Sequence, residues 1–359
     1  MSAILERRQS SSNSLSLVQG NIALAEGAVQ AGLNCYFGYP ITPQNQIPEY
    51  LSRRLVETGG VFLQAESELA GINMVLGAAA AGARVMTSSS GPGISLMQEG
   101  ISFLAGSQLP CLIVDVMRSG PGLGGIKPTQ ADYYQATRGG GHGDYRTVVL
   151  APSTAQEMFD FPLKAFEIAE RYRNPVLILS DAILGQLKEP VCMQHDHEPL
   201  IPPKDWALAG AHNRPAQNIR SMFLSGNDQE LHNNVLWEKY KVIEKELPEG
   251  EELFVEDAEL LLVAFGSAAR IALSALRAAR DESLRVGLFR PITLYPFPSE
   301  QLCQLTTSIK RVLVVEMNMG QMLDDVRLSV PDDIEVRFYG RPGGGVPTPS
   351  QILEKIKEC

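Results

Sequence analysis

The chain lacks the features that would point to most classes of partner. It has no Lys/Arg-rich run, and its net charge is −10 at pH 7, which argues against a nucleic-acid partner. No apolar run approaches the roughly 20 residues of a membrane span, so no membrane is expected. The opening MSAILERRQSSSNSLSLVQG has no long apolar core of the kind a secretory signal carries, and residues 1–17 read as a flexible arm. The five cysteines (Cys35, Cys111, Cys192, Cys303 and Cys359) include no C-x-x-C pair. That suits a reducing cytoplasm and excludes a local zinc or iron–sulfur ligand set in this chain. Any electron chemistry must then use a partner's metal centre or none. No fixed-period repeat points to a solenoid.

What is present is an ordinary globular composition, 44% apolar and 20% charged, long enough at 359 residues for about two domains. From Asn21 the pattern is helical and closes at Gly32, and NCYFGYP is a buried strand. A helix is expected from near Pro43 to Gly59-Gly60, and VFLQAESE reads as a strand running straight into a small-residue helix. LPCLIVDVMR and NPVLILSD are apolar runs of the kind that form central strands. The βα alternation over residues 18–189 predicts an α/β domain, a mostly parallel sheet with helices on both faces. Residues 190–257, with EPLIPP and PEGEELFVED, read as a connector with one helix. A second, smaller doubly wound α/β domain is expected over 258–359.

Open α/β sheets meet their ligands at the carboxyl ends of the strands. Four such ends carry suggestive residues: Thr42, Glu66 with Glu68, the Ser88–Gly91 loop, and Arg118. In GYPITPQNQ, two prolines flank Ile41 and Thr42, and each biases the residue before it toward extended angles. Glu68 opens a helix of small and apolar residues. Desolvation there should raise its pKa unless a donor pairs with it, and such a carboxyl can exchange a proton with a ligand nitrogen. Arg118 precedes glycines at 120, 122, 124 and 125, and its planar fork suits a carboxylate. Each feature also has a plainer reading. Ser/Gly loops are commonly just turns, and a carboxylate at a helix start often only faces the helix dipole. The glycine loop is not the dinucleotide fingerprint, since Pro121 and Lys127-Pro128 open no helix. RGGGHGDYR, with His142 and Asp144, reads equally as a surface loop or as part of a site.

Taken together, GYPITPQ, ESELAGINMVLGAAAAGARVMTSSSGPG, MRSGPGLGGIKPTQADYYQATRGGGHGDYR and RNPVLILSD resemble the α subunit of thiamine-diphosphate-dependent 2-oxoacid:ferredoxin oxidoreductases. GLFRPITLYPFP and VVEMNMGQMLDDVR resemble that family's second domain. The resemblance implies a pyrimidine-binding domain followed by a transketolase C-terminal-like domain. It implies that Glu68, nine residues before Gly77, is the glutamate that exchanges a proton with N1′ of the cofactor. Glu66 is left as a neighbour without an assigned role. Thr42 takes the place of the threonine near thiazolium and substrate, Arg118 that of the arginine on the substrate carboxylate, and Ser90 and Gly91 lie in the cofactor-binding loop.

Thiamine enzymes hold magnesium diphosphate with G-D-G and a later Asn, whereas this chain has only GDY at Gly143–Tyr145, and Asn174 begins a buried strand. The resemblance therefore implies no metal on this chain. Magnesium and the iron–sulfur cluster are expected on a β subunit, with a γ subunit, coenzyme A as cosubstrate and ferredoxin as electron acceptor, in the cytoplasm. The implied reaction is oxidative decarboxylation of a 2-oxoacid to an acyl-CoA, with 2-oxoglutarate the favoured substrate. The alternatives are a branched-chain 2-oxoacid such as 3-methyl-2-oxobutanoate, the pyrimidine-binding subunit of a lipoamide-linked dehydrogenase, and a non-catalytic regulatory subunit.

Overall fold

A computed structural model describes residues 15–309 and 311–359. Its strands are β1 (Leu15–Gln19), β2 (Cys35–Gly38), β3 (Val61–Gln64), β4 (Val85–Ser89), β5 (Cys111–Met117), β6 (Val148–Leu150), β7 (Pro175–Asp181), β8 (Lys188–Cys192), β9 (Gly250–Leu253), β10 (Leu260–Val263), β11 (Val286–Pro291), β12 (Thr293–Tyr295), β13 (Arg311–Glu316) and β14 (Glu335–Gly340). The expected arm lies outside the described residues for positions 1–14. Residues 15–17 are not arm but strand: LSLVQ alternates in strand fashion and pairs antiparallel with β8, which supplies partners for its backbone groups.

Seven strands form the larger sheet, in the order β12-β6-β7-β5-β4-β2-β3, with only β12 antiparallel. The central strands β4, β5 and β7 are buried along their whole length, as strands covered on both faces must be. In β5 the alternation is explicit. Leu112, Val114 and Val116 face the core built with helices Gly20–Gln30 and Ala155–Tyr172. Cys111, Ile113 and Met117 face the core shared with helices Glu68–Ala80 and Gly91–Gly106. That second core continues into the smaller sheet, order β14-β13-β10-β11-β9, whose Leu261, Val263 and Phe289 belong to it.

Several boundaries differ from the sequence reading. The helix expected from Pro43 begins at Gln46, because Gln44 turns inward, fully buried, and its side chain ties the preceding loop to β4. β3 stops at Gln64, and residues 65–67 turn before the helix that starts at Glu68, with Ser67 capping it through the Ala70 N–H. The segment 190–257 holds the long helix Gly226–Glu246, but it also contains the end of β8 and all of β9, which pairs antiparallel with β11. ITLYPFP supplies β12, which crosses back to the larger sheet beside β6.

Arg84 precedes β4 and is buried with Glu170, their side chains 2% and 3% exposed and 2.5 Å apart. Arg84 also donates to the carbonyls of Ala31 and Leu200, and Lys204 reaches Glu170 at 2.7 Å. A single carboxylate thus compensates one buried and one partly buried cation from separate segments. Removing one partner of a buried ion pair is the costly change. Glu170→Gln is expected to lower stability by about 3 kcal/mol, the low end for such a loss because the amide oxygen still accepts. Urea unfolding of the two proteins measures it.

Candidate active site

Because the strands of the larger sheet are nearly all parallel, β2, β4, β5 and β7 end at one edge, and the segments that follow them make the site. After β2, the loop Tyr39–Asn45 is held by buried amides. Gln44 accepts from Ser88 Oγ at 2.6 Å and donates to the Tyr39 carbonyl, while Asn21 donates to the Pro43 carbonyl at 3.0 Å. Tyr36 bonds Ser88 Oγ from below at 2.8 Å. Thr42 therefore sits, half-buried, on a braced loop rather than a mobile one.

Arg118 follows β5 directly. Its Nη1 donates to the Thr42 carbonyl at 3.1 Å and its Nη2 to the Leu123 carbonyl at 3.2 Å, which joins the two loops that the sequence singled out. Its buried Nε has no hydrogen-bond partner among the described residues. The two loops it joins carry exposed apolar side chains: Leu123 at 82%, Ile126 at 66% and Tyr39 at 38%.

Glu68 is buried and Glu66 exposed, so only the former faces the interior of the site. Its carboxylate lies beside Gly93. A Cβ built on Gly93 would stand 2.7 Å from Glu68 Oε1 and 2.0 Å from Ser89 Oγ, so glycine is what lets the three groups meet. The hydroxyls of Thr87, Ser89 and Ser90 are buried without hydrogen-bond partners. Ser90 precedes the helix Gly91–Gly106, and Gly91 opens it against Asp132, whose Oδ2 would be 3.2 Å from a Cβ there.

Sequence reasoning missed two carboxylates. Asp115 replaces an apolar residue on the second face of β5, opposite Ser89 in register, and is fully buried with neither oxygen in a hydrogen bond of normal geometry. Burial first, then the charge of Asp132, push its pKa well above the carboxylate range, against a smaller pull from the Gly91 N–H. Burial pushes Asp132 up to about 6, opposed by Arg118. The available signal was an aspartate inside the apolar run CLIVDVM. Asp132 gave none, since it lies in an irregular segment positioned from the other sheet. There Gln130 is fully buried, donates to the Phe265 carbonyl and exchanges bonds with Met317.

The glycine loop at 138–146 does not join the tips through its charged residues. His142 and Asp144 are exposed, while Tyr145 turns inward, bonds Gln98 and receives the Gly141 N–H. Asn174 donates to the carbonyls of Arg146 and Pro175, a local staple. Among the described residues no group of three His, Cys, Asp or Glu side chains could hold a metal ion. None of the described helices is long and apolar enough to cross a membrane.

A carboxylate, three unpartnered hydroxyls and a glycine-lined approach suit a polar heterocycle carrying N–H groups, such as an aminopyrimidine. They suit a diphosphate less well, since the Arg118 fork is already shared with two carbonyls. Fold and site thus define a mostly parallel α/β domain with a polar, glycine-lined site at the carboxyl edge of its sheet.

Residues 26–243 match the family described as pyruvate flavodoxin/ferredoxin oxidoreductase, thiamine diphosphate-binding, and residues 258–352 match pyruvate:ferredoxin oxidoreductase core domain II. The chain is 51% identical over 342 residues to ketoisovalerate oxidoreductase subunit VorB of Methanothermobacter thermautotrophicus, covering 95% of this chain and 97% of that one. It is 36% identical to 2-oxoglutarate synthase subunit KorA of Methanocaldococcus jannaschii, covering 94% and 98%. Among solved structures, the 2-oxoglutarate:ferredoxin oxidoreductase of Magnetococcus marinus, with 2-oxoglutarate, coenzyme A and succinyl-CoA bound, is similar with a TM-score of 0.84 and 28% identity, over 96% of this chain and 65% of that one. A split-gene transketolase shares the fold at 14% identity and a TM-score of 0.59. The chain belongs to the 2-oxoacid:ferredoxin oxidoreductase family, as an α subunit.

Gly93→Ala isolates the meeting of Glu68 and Ser89. Alanine is the better helix former, so the fold is expected to persist. The displaced carboxylate is expected to cost about a hundredfold in turnover of the assembled enzyme, the scale of a misplacement of about 1 Å. Circular dichroism and steady-state rates on one preparation separate the two effects.

Proposed function

We propose that this α subunit serves oxidative decarboxylation of a branched-chain 2-oxoacid, 3-methyl-2-oxobutanoate, to an acyl-CoA. The observation that carries this reading is its likeness to two ketoisovalerate oxidoreductase subunits, at 51% and 50% identity over 342 residues, against 33–36% for 2-oxoglutarate synthase subunits. It replaces the sequence-based preference for 2-oxoglutarate. The surroundings of Arg118 agree in kind. The two loops that Arg118 joins expose Leu123, Ile126 and Tyr39, apolar surface of the kind a branched aliphatic side chain packs against.

Thiamine diphosphate, when bound, supplies the carbon nucleophile and electron sink for decarboxylation. In this reading Glu68 holds and returns a proton at the pyrimidine N1′. Its enclosure by helix Glu68–Ala80 and β4 excludes water from that exchange. The Ser89 and Ser90 hydroxyls offer donors or acceptors to the ring's polar edge. Arg118 turns its fork from the Thr42 and Leu123 carbonyls, or shares it with them, to take the substrate α-carboxylate. Thr42, on its braced loop, presents its hydroxyl toward the carbonyl carbon. Magnesium, the diphosphate contacts and the iron–sulfur cluster come from a β subunit, with a γ subunit, ferredoxin and coenzyme A completing the cycle in the cytoplasm. The reading is thus a half-site, active only in the complex.

A second reading, 2-oxoglutarate as substrate, is favoured by the likeness to the Magnetococcus marinus enzyme, whose structure contains that acid. The copurified complex, assayed with 3-methyl-2-oxobutanoate, pyruvate and 2-oxoglutarate, decides between them. The expected result is the highest kcat/KM for the branched-chain acid, and a preference for 2-oxoglutarate would overturn the proposal. Arg118→Ala is expected to raise KM about tenfold to a hundredfold for every 2-oxoacid, the loss of a charged hydrogen bond worth about 1.5–3 kcal/mol. Lysine should restore only part of it, because it lacks the planar fork.

A further inference from the structure

Three polar groups behind Arg118 have unmet hydrogen-bonding capacity: both oxygens of Asp115, Oδ2 of Asp132 and Nε of Arg118. They form one cluster. Asp115, opposite Ser89 in register, and Arg118 are three residues apart at the end of β5, and Asp132 lies against Gly91, two residues beyond Ser89, where its charge acts on Asp115 and Arg118 acts on it. Two carboxylates in a dry site cannot both ionise cheaply, and here a single guanidinium stands beside them.

We propose that Asp115 and Asp132 are positioning residues that form a one-proton carboxyl pair tuning Arg118, so that binding of the substrate carboxylate at Arg118 draws a second proton, onto Asp132. The proposal rests on Arg118 being the carboxylate anchor. Asp115, the more deeply buried, keeps the resident proton. Asp132, at about 6, is the group left free to ionise against Arg118. A substrate carboxylate on Arg118 cancels the positive field that keeps Asp132 charged, so Asp132 takes up a proton from solvent and its repulsion of the substrate ends. No bond to the substrate is made or broken.

The other groups facing the pair are accounted for by element. Helix Gly91–Gly106 offers the Gly91 N–H, and helix Glu68–Ala80 offers Glu68, on the far side of Ser89 and Gly93. At the tip of β7, beside Met117 in register, Asp181 is committed to Ser267 Oγ and the Ile183 and Leu184 N–H groups.

The test uses the assembled complex and 2-hydroxy-3-methylbutanoate, which keeps the carboxylate and has no reactive carbonyl. Calorimetric titration in buffers of different ionisation heat counts protons taken up on binding. Wild type is expected to take up a fraction of a proton at neutral pH, and its affinity to fall about tenfold as pH rises through about 6 to 7, the low end of the one to three pK units a neighbouring charge produces. Asp132→Asn should abolish the uptake and flatten the profile, with affinity at neutral pH equal to or above wild type, which a merely structural role would not produce. If the amide blocks assembly, the smaller Asp132→Ser carries the same expectation. Asp115→Asn should leave the pH profile in place but remove a protonated-carboxyl band from the infrared difference spectrum against wild type. Two results overturn the pair: no proton uptake in a wild type whose Arg118→Ala variant binds poorly, or no carboxyl band lost in Asp115→Asn. Unweakened binding by Arg118→Ala overturns instead the anchor on which the pair rests.

Discussion

The site depends on polar burial at positions where a covered sheet calls for apolar side chains. Thr87, Ser89 and Asp115 lie on the face of β4 and β5 that otherwise feeds the second core, and none of the three has a full set of hydrogen bonds among the described residues. Each unpartnered buried group opposes folding by about 1–3 kcal/mol. A small domain would be hard pressed to tolerate three of them together with Asp132. Here the same face is continuous with the core of the smaller sheet, through Phe265, Leu261, Val263 and Phe289, so the apolar area that offsets the strain comes from both halves of the chain.

The smaller sheet therefore does more than follow the larger one in sequence. Gln130 is clamped between Phe265 and Met317, and Asn318 donates to its carbonyl, so residues 129–132 are held by the loops that follow β10 and β13. Asp132 is placed by this clamp. Glu316, pushed up to about 7 by burial despite the Met322 and Leu323 N–H groups it accepts, fixes the start of the helix after β13 and with it the Met317–Asn318 turn. Further positions sensitive to substitution are then expected in the second half of the chain, far from any group that touches the substrate.

Much of the larger sheet was legible because its central strands are apolar runs between helical patterns, and tertiary context had little to add. The strand tips were legible for the same reason: a run that ends in a polar residue marks its own carboxyl end, as DVMR does for Arg118 and VMTSSSG for Ser90. What sequence periodicity could not show were pairings set by distant partners. β1 reads as an arm until β8 is beside it, and β12 reads as part of the second unit until β6 is. Gln44 was missed because an inward amide in a proline-flanked loop has no periodic signature. Its role is visible only once Ser88 and Tyr39 are seen at its two ends.

In the proposed reading, the division between Glu68 and Arg118 also bears on why such a centre would be shared between chains. Glu68 is enclosed by its own helix and β4, which suits a proton exchange that must avoid solvent. Arg118 rests its fork on two backbone carbonyls and joins two loops that expose Leu123, Ile126 and Tyr39. Exposed apolar side chains on such loops gain most when a second surface closes over them, because covering removes their contact with water and strengthens every charge interaction beneath. In the proposed reading, the α-carboxylate, common to all 2-oxoacids, is read by Arg118, which this chain supplies whole. The rest of the substrate would then meet a wall this chain supplies only in part, so selectivity among 2-oxoacids would follow from these apolar side chains together with the surface that covers them.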